Sequence, residues 1–233
     1  MIKLIQNIFR KFNIDIKLIR PENYTWLLKR NIKVILDVGA NTGQFAQRFH
    51  EIIPQAKIYS FEPIKHCFDE LKKNTKDINI QAFNIALGDK EEQVEINISK
   101  HTPSSSLLEM ADLHKEVFAG TDFQQKETIS VKRLDDVAPQ FGKLENILLK
   151  IDVQGFEDRV ISGGQETLKQ VDTIVIETSF QELYHGQLLF DGIYRQLTDL
   201  GFVFGGNLSQ AFNPKDGGIL YAESLFFNTR FKN

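Results

Sequence analysis

The stretch Val34–Phe45, VILDVGANTGQF, decides the predicted fold. An apolar run of strand length leads into the acid Asp37, and Gly39 and Gly43 follow before a helical pattern begins. Neither glycine has a Cβ, so the backbone there can turn sharply and approach a ligand closely. Because open α/β sheets bind ligands at the carboxyl ends of their strands, the stretch predicts a cradle for a nucleotide-type cofactor.

The spacing of this cradle favours a cationic cofactor. It reads D-x-G-x-x-x-G and lacks the middle glycine of the G-x-G-x-x-G fingerprint, which disfavours a nicotinamide dehydrogenase. A carboxylate beside the loop would repel a pyrophosphate and attract a positive charge. S-adenosylmethionine carries a sulfonium and an ammonium group, so methyl transfer is the leading hypothesis.

Composition excludes several classes of protein. The chain has 233 residues and a net charge of −3, which gives no general attraction for nucleic acid. Its single cysteine, Cys67, excludes an intrachain disulfide and a cysteine-rich zinc site. The five histidines show no metal-ligand spacing, so we predict no metal. No apolar run has the length of a membrane span, and we expect a cytoplasmic protein.

Strand-like and helical runs alternate along the chain, which predicts a parallel sheet with helices on both faces. Helical patterns cover 42–53, 65–74, 156–170 and 190–200. Seven main strands are predicted over 33–37, 57–61, 80–87, 147–152, 173–177, 202–205 and 219–227. A connection containing Gly, Asn and Pro joins the last two, so they are expected to form an antiparallel hairpin at the edge.

Two regions add to this sheet. Alternating patterns over 93–98 and 127–134 predict half-exposed strands or edge segments. Between them, 100–123 is rich in Ser and Thr and is predicted to be a loop or lid over the site. The hydroxyls of Ser104, Ser105 and Ser106 would bind the methionine end of the cofactor or cap a helix.

The N-terminal residues 1–30 are predicted to be a helical extension to a single domain over 31–233. Within them, 1–20 is basic and has an apolar helical face. Such a segment either caps the domain or the substrate pocket, which we favour, or touches an anionic membrane surface.

Acidic and apolar residues at two further strand ends are candidates for cofactor binding. Glu62 ends the second strand about 20 residues past the glycine loop, where nucleoside-binding sheets place an acid on the ribose hydroxyls. Ala86 and Leu87 follow the third strand and would flank a flat adenine ring, or simply be core.

The catalytic candidates are Asp152, Lys150 and His185. Lys150 interrupts an apolar strand, and a buried ammonium without a partner is costly. Strand alternation puts Lys150 and Asp152 on one side, with Asp37 and Glu177 at the ends of the neighbouring strands. This cluster is either catalytic or a structural ion pair. His185, on a later loop, would take a hydroxyl proton or is merely solvated.

Six segments in order resemble the FkbM-type methyltransferases, a branch of the class I S-adenosylmethionine-dependent fold. They are ILDVGANTGQF (35–45), YSFEP (59–63), NIALGD (84–89), SSSL (104–107), LLKIDVQGFE (148–157) and LYHGQLLFDGIYRQLTDLGF (183–202). The resemblance implies a Rossmann-like sheet of seven strands with a reversed last strand. It also implies cofactor contacts from Asp37, Gly39, Asn41, Gly43 and Glu62, and O-methylation of a sugar or a polyketide-like natural product.

The chain departs from this pattern at two positions. Gln154 stands where many members have Glu, and Glu223 replaces an Asp common near the final strand. Gln154 removes one possible acid from the site, which weakens any scheme that requires a carboxylate at that position.

The sequence thus predicts an O-methyltransferase that uses S-adenosylmethionine and acts on a hydroxyl of a small-molecule or glycan acceptor. One alternative keeps the fold and methylates an amine. Another is a non-catalytic binding or scaffold protein that retains the methyltransferase fold. The sequence names neither the acceptor molecule nor the oligomeric state.

Overall fold

The computed structural model describes residues 24–231. Its strands are β1 (Val34–Val38), β2 (Lys57–Phe61), β3 (Ile80–Phe83), β4 (Ala86–Leu87), β5 (Glu92–Ser99), β6 (Phe123–Lys132), β7 (Ile147–Ile151), β8 (Val171–Ser179), β9 (Phe202–Phe212) and β10 (Ile219–Asn228). Its α-helices are α1 (Gln44–Ile52), α2 (Lys65–Asn74), α3 (Asp112–Val117), α4 (Leu134–Val137), α5 (Glu157–Gly163), α6 (Gln165–Leu168) and α7 (Phe190–Asp199). Short 3-10 helices cover Tyr24–Arg30, Thr102–Ser104 and Ala138–Phe141.

Seven strands form the main sheet, in the order β3-β2-β1-β7-β8-β10-β9. Strand β1 pairs in parallel with β2 and β7, whereas β10 runs antiparallel to both β8 and β9. The predicted sheet with a reversed last strand is confirmed. The strand order reverses between β1 and β7, and ligands of open α/β sheets bind outside the carboxyl ends of the strands at such a point.

Alternation along the central strands divides the core into two layers. In β1, Ile35 belongs to the same core layer as Phe49 of α1, while Leu36 belongs to the layer on the opposite face, with Val160 of α5 and Leu197 of α7. Every residue of β1 and of β7 is buried. Burial on both faces explains why these strands are nearly continuous apolar runs, and it confirms helices on both sides of the sheet.

Two predicted elements are divided in the structure. The strand expected over 80–87 breaks at Asn84, whose amide donates to the carbonyls of Glu62 at 2.9 Å and Pro63 at 2.7 Å. Strand β4 then leaves the main sheet and pairs with β6, so that β4, β6 and β5 form a separate sheet in the order β4-β6-β5. The helix expected over 156–170 is interrupted at Gly164.

The described part of the N-terminal extension packs on the domain. Tyr24 and Leu27 are buried against α1, and Arg30 pairs with Asp172 at 3.0 Å. Residues 1–23 lie outside the described residues, so the cap and membrane-contact hypotheses for 1–20 stay predictions. Over 24–231, no helix combines the length and the apolar character needed to cross a bilayer.

Candidate active site

The turn after β1 requires glycine at position 39. Gly39 has φ +76°, and a Cβ added there would lie 1.9 Å from the carbonyl oxygen of Asp152. The backbone N–H groups of Gly39 and Ala40 both donate to the carbonyl of Phe61, at 3.1 and 3.0 Å. The loop is therefore fixed between the ends of β2 and β7, and it is as close to β7 as a backbone without a side chain allows.

Glu62 closes one side of this loop. Its carboxylate accepts hydrogen bonds from the backbone N–H of Asn41 at 2.8 Å and of Ile64 at 2.9 Å. Burial raises the pKa of Glu62 to about 7, although these two hydrogen bonds favour the charged form. Each oxygen uses one of its two acceptor sites, which leaves two for a ligand's hydroxyl groups.

A cleft opens beside Glu62 at the switch point between β1 and β7. Six of the predicted site residues border it, namely Gly39, Asn41, Glu62, Ala86, Leu87 and Asp152. Apolar side chains of Phe61, Ile64, Ile96, Leu107, Val153 and Phe156 complete its walls. A flat apolar ring and a ribose fit such a lining, because apolar walls lie beside a carboxylate with free acceptor sites.

Two predicted cofactor contacts lie outside these walls. The Asp37 side chain is fully buried and accepts a hydrogen bond from Ser60 Oγ at 3.1 Å. Gly43 faces α2, where an added Cβ would lie 2.8 Å from Leu71 Cδ1. Both residues support the loop from the side that faces away from the cleft. Their direct contact with a cofactor stays a prediction.

Lys150 joins the loop to a group of carboxylates. Its Nζ donates to the carbonyls of Gly39 at 2.8 Å and Val38 at 3.3 Å, and lies 3.6 Å from Asp37 Oδ1 and from Asp152 Oδ2. Burial alone would lower the pKa of Lys150, but the carboxylates of Asp152 and Asp37 outweigh it and raise that pKa. The ammonium is therefore charged, which resolves the cost of burying it.

A second cavity lies on the other side of Asp152. Of the residues that the structure describes, Asp152 alone borders both cavities. Charged and polar side chains dominate the second one: Arg48, Lys150, Asp152, Glu177, Ser209, Tyr221 and Glu223. The predicted convergence of Lys150, Asp152 and Glu177 is therefore observed, and these side chains face a space that can admit a ligand.

Gln154 makes contacts that its sequence context did not predict. Its side-chain amide donates to Asp152 Oδ1 at 2.7 Å and Glu177 Oε1 at 3.0 Å, and its Oε1 accepts from the Tyr184 hydroxyl at 2.8 Å. The departure from Glu at this position was the only signal in the sequence. Tyr184, 30 residues further along, carried none.

The predicted lid supplies part of the cleft wall. Thr102, Ser105 and Leu107 border the cleft, and Thr102 lies within hydrogen-bonding distance of the Asn41 amide, at 3.4 Å. Ser106 faces away from the cleft and donates to the Gln154 carbonyl at 2.6 Å. The segment therefore contributes to the cleft and is anchored to the turn after β7.

The structure does not bring His185 to either cavity. Its side chain is 58% exposed, and its nearest charged partner is Glu182 at 3.8 Å. The solvated alternative matches this placement, while the catalytic role stays a prediction. Over 24–231, no group of His, Cys, Asp and Glu side chains has the arrangement of a metal site.

Comparison with known proteins gives the family. The protein-family model described as the methyltransferase FkbM domain matches residues 37–204 of the sequence. The chain belongs to the FkbM methyltransferase family. This FkbM protein is 34% identical over 170 residues to the 2-O-methyltransferase NoeI of Sinorhizobium fredii, covering 70% of each chain. It is 31% identical over 170 residues to the methyltransferase sdnD of Sordaria araneosa, covering 62% of this chain and 65% of that protein.

A solved structure shows the same fold. The crystal structure of the methyltransferase FkbM from Methylobacillus flagellatus KT has a TM-score of 0.53 at 13% identity. It matches 84% of this chain, which spans 44% of that one. The family match and this fold together make the protein an S-adenosylmethionine-dependent methyltransferase of class I fold, as the motifs predicted.

Proposed function

We propose that this FkbM methyltransferase transfers a methyl group to a hydroxyl oxygen of a sugar, a polysaccharide or another natural product. One observation carries the proposal: Asp152 borders both an apolar cleft and a polar cavity. Two ligands bound in these spaces would meet at a single carboxylate. The name of the similar 2-O-methyltransferase NoeI supports oxygen as the acceptor atom.

The cleft is the proposed cofactor site. Glu62 would accept from ribose hydroxyls, Gly39 and Asn41 would contact the cofactor through the loop, and Ala86 and Leu87 would lie against its ring. When bound, S-adenosylmethionine supplies an electrophilic methyl group on a sulfonium, which becomes a neutral thioether after transfer. The chain's own task is then to align the acceptor and exclude water.

The polar cavity is the proposed acceptor site. Glu177, Glu223 and Tyr221 line it, and their oxygens can accept hydrogen bonds from hydroxyl groups. The Asp152 side chain is 38% exposed, so it is accessible to a ligand. We assign Asp152 as the base that takes the hydroxyl proton.

Lys150 has a supporting role in this scheme. Its Nζ donates to the carbonyls of Val38 and Gly39 and lies 3.6 Å from the carboxylates of Asp37 and Asp152. It therefore fixes the loop and balances the charge of Asp152. Direct contact between Lys150 and the acceptor oxygen would require one of these interactions to break.

The carboxylates of the polar cavity favour one rival, an amine acceptor. An ammonium group would be attracted to Glu177 and Glu223 but must lose its proton before it can attack. Methylation of an amine would then rise with pH towards the pKa of the amine, without dependence on Asp152.

The test is a screen of sugars, glycan fragments, natural-product alcohols and amines with methyl-labelled S-adenosylmethionine. The expected result is label on a hydroxyl oxygen, located by mass spectrometry and NMR. With that acceptor, Asp152→Asn should lower kcat by about 100-fold while the cofactor Kd from titration calorimetry changes less than about threefold. Exposed Glu166→Gln is the control. Label found only on amines, or full activity of Asp152→Asn, would overturn the proposal.

A further inference from the structure

Both polar groups of the Gln154 side chain and its backbone carbonyl make hydrogen bonds. Its amide N–H groups donate to Asp152 Oδ1 and Glu177 Oε1, its Oε1 accepts from Tyr184, and its backbone carbonyl accepts from Ser106. Its φ is +55°, a conformation that a non-glycine residue seldom adopts. The fold thus accepts a strained backbone at the position that joins β7, β8 and the lid.

These contacts orient the amide. Turning it over would point Gln154 Oε1 at the Asp152 carboxylate, which would repel it, so the NH2 group faces Asp152 and Glu177. The Tyr184 hydroxyl lies 2.8 Å from Gln154 Oε1, 3.1 Å from the Ser104 carbonyl oxygen and 3.3 Å from His114 Nε2. It therefore links Gln154 to the lid and to His114.

His114 lies at the far end of this set of polar side chains. It is 3% exposed, and burial lowers its pKa. His114, Tyr184 and Gln154 therefore form a connected, largely buried group that ends at Asp152 and Glu177.

We propose that Gln154 is a positioning residue, which ties Asp152 to Glu177 and holds the Asp152 carboxylate at the junction of the two cavities. The inference rests on the proposed function, because the orientation of Asp152 affects the reaction only if Asp152 receives the acceptor's proton. One oxygen of Asp152 is then held by Gln154 and the other faces Lys150 at 3.6 Å.

An amide and a carboxylate at position 154 differ in charge. The charged groups facing this region are Asp37 of β1, Arg48 of α1, Lys150 and Asp152 at β7, Glu157 of α5, Glu177 of β8 and Glu223 of β10. Glu at 154 would place a third carboxylate about 3 Å from two others, as the distances of 2.7 and 3.0 Å show. Such a cluster must retain a proton, which raises the pH at which Asp152 is free to act as base.

The experiment compares Gln154→Glu, Tyr184→Phe and the control Gln165→Glu, an exposed Gln-to-Glu change at the start of α6. With the acceptor found above, Gln154→Glu should lower kcat at pH 7 by about tenfold or more and move the acidic limb of the pH–kcat profile up by about one unit. Tyr184→Phe should lower kcat with a smaller shift in the profile. Gln165→Glu should match the wild type, and KM for S-adenosylmethionine should stay within about threefold in all three.

Carboxyl titration by 13C NMR gives a readout that needs no acceptor. The apparent pKa of Asp152, identified by its loss in Asp152→Asn, should rise in Gln154→Glu, and thermal melts confirm that each variant is folded. An unchanged Asp152 titration, or a pH–kcat profile that superimposes on the wild type, overturns the positioning role. A wild-type enzyme that methylates no acceptor overturns the proposed function, while the NMR titration still decides whether Gln154 controls Asp152.

Discussion

At the scale of single residues, the site is built from buried charges whose environments differ. Glu62 and Glu157 both have pKa values raised to about 7 by burial, although backbone N–H groups hydrogen-bond to each of them. Lys150 keeps its charge because carboxylates surround it. Burial disfavours the charged form of all three groups, and only in Lys150 do the neighbouring charges outweigh it.

Glu62 should make cofactor affinity depend on pH. If only its ionised form accepts from the ribose hydroxyls, a pKa of about 7 predicts that the Kd for S-adenosylmethionine falls by roughly tenfold between about pH 6 and pH 8. Glu62→Gln should bind more weakly and show a flat profile. Titration calorimetry across this range measures both, and the same pH dependence in Glu62→Gln would contradict the assignment.

Gly39 should tolerate no side chain. Gly39→Ala combines a strained φ of +76° with a Cβ 1.9 Å from the Asp152 carbonyl, so it should destabilise the fold by roughly 2–4 kcal/mol and abolish cofactor binding. Gly217→Ala is the matched control, because φ there is +77° with nothing within 4 Å of the added Cβ. Its cost should be only about 1 kcal/mol. If chemical denaturation gave the same loss of unfolding free energy for both variants, backbone strain alone would explain the cost of Gly39→Ala, and the contact with Asp152 would not contribute.

At the scale of elements, the small sheet and the lid form one wall of the cofactor cleft. Ile96 of β5 and Leu107 border the cleft, and an antiparallel bridge joins Asn97 to Ser106. The lid is therefore attached to a sheet at one side and to Gln154 at the other. Only its Thr102–Leu107 portion lies over the proposed cofactor.

This arrangement predicts local protection on cofactor binding. The amides of Thr102–Leu107 should exchange more slowly with deuterium once S-adenosylmethionine is added, because the cofactor would fill the cleft that this segment borders. The exposed turn around Gly217 is the internal reference and should not change. Hydrogen exchange with mass spectrometry resolves both, and protection confined to other segments would place the cofactor elsewhere.

At the scale of the whole molecule, buried carboxylates link stability to pH. A carboxyl whose pKa is raised from 4.5 to about 7 on folding binds more protons in the folded than in the unfolded chain between those values. The free energy of unfolding therefore falls as pH rises through that window. Asp37 and Glu177 act in the same direction, whereas buried His114, with its lowered pKa, opposes them.

The protein without cofactor should thus melt at least about 4 °C higher near pH 5.5 than near pH 8. Glu157→Gln should reduce this difference, because it removes one of the carboxyls that titrate in the window. Differential scanning calorimetry provides the measurement, with Glu166→Gln as the exposed control. A melting temperature that rises with pH over this range would refute the linkage.

Local sequence patterns determined a large part of this molecule. Runs of apolar residues predicted the order and type of the main elements, since a strand that is buried on both faces must be almost entirely apolar. The glycines after β1 indicated the cradle, and the lysine in β7 indicated the charged cluster. Glycine and a buried lysine both destabilise a fold unless the local structure requires them. These signals depend only on residues that are close together in the sequence, so the sequence alone shows them.

Only the tertiary structure decided which distant residues meet. In the structure, β4 belongs to a second sheet, and Asp37 and Gly43 lie behind the cleft. His185 is exposed, and the Tyr184 hydroxyl lies 2.8 Å from Gln154 Oε1. No local pattern encodes such contacts, because they depend on how loops close over a finished sheet. The physical reason is that hydrogen bonds act over about 3 Å, whereas the sequence specifies only the elements that carry the partners.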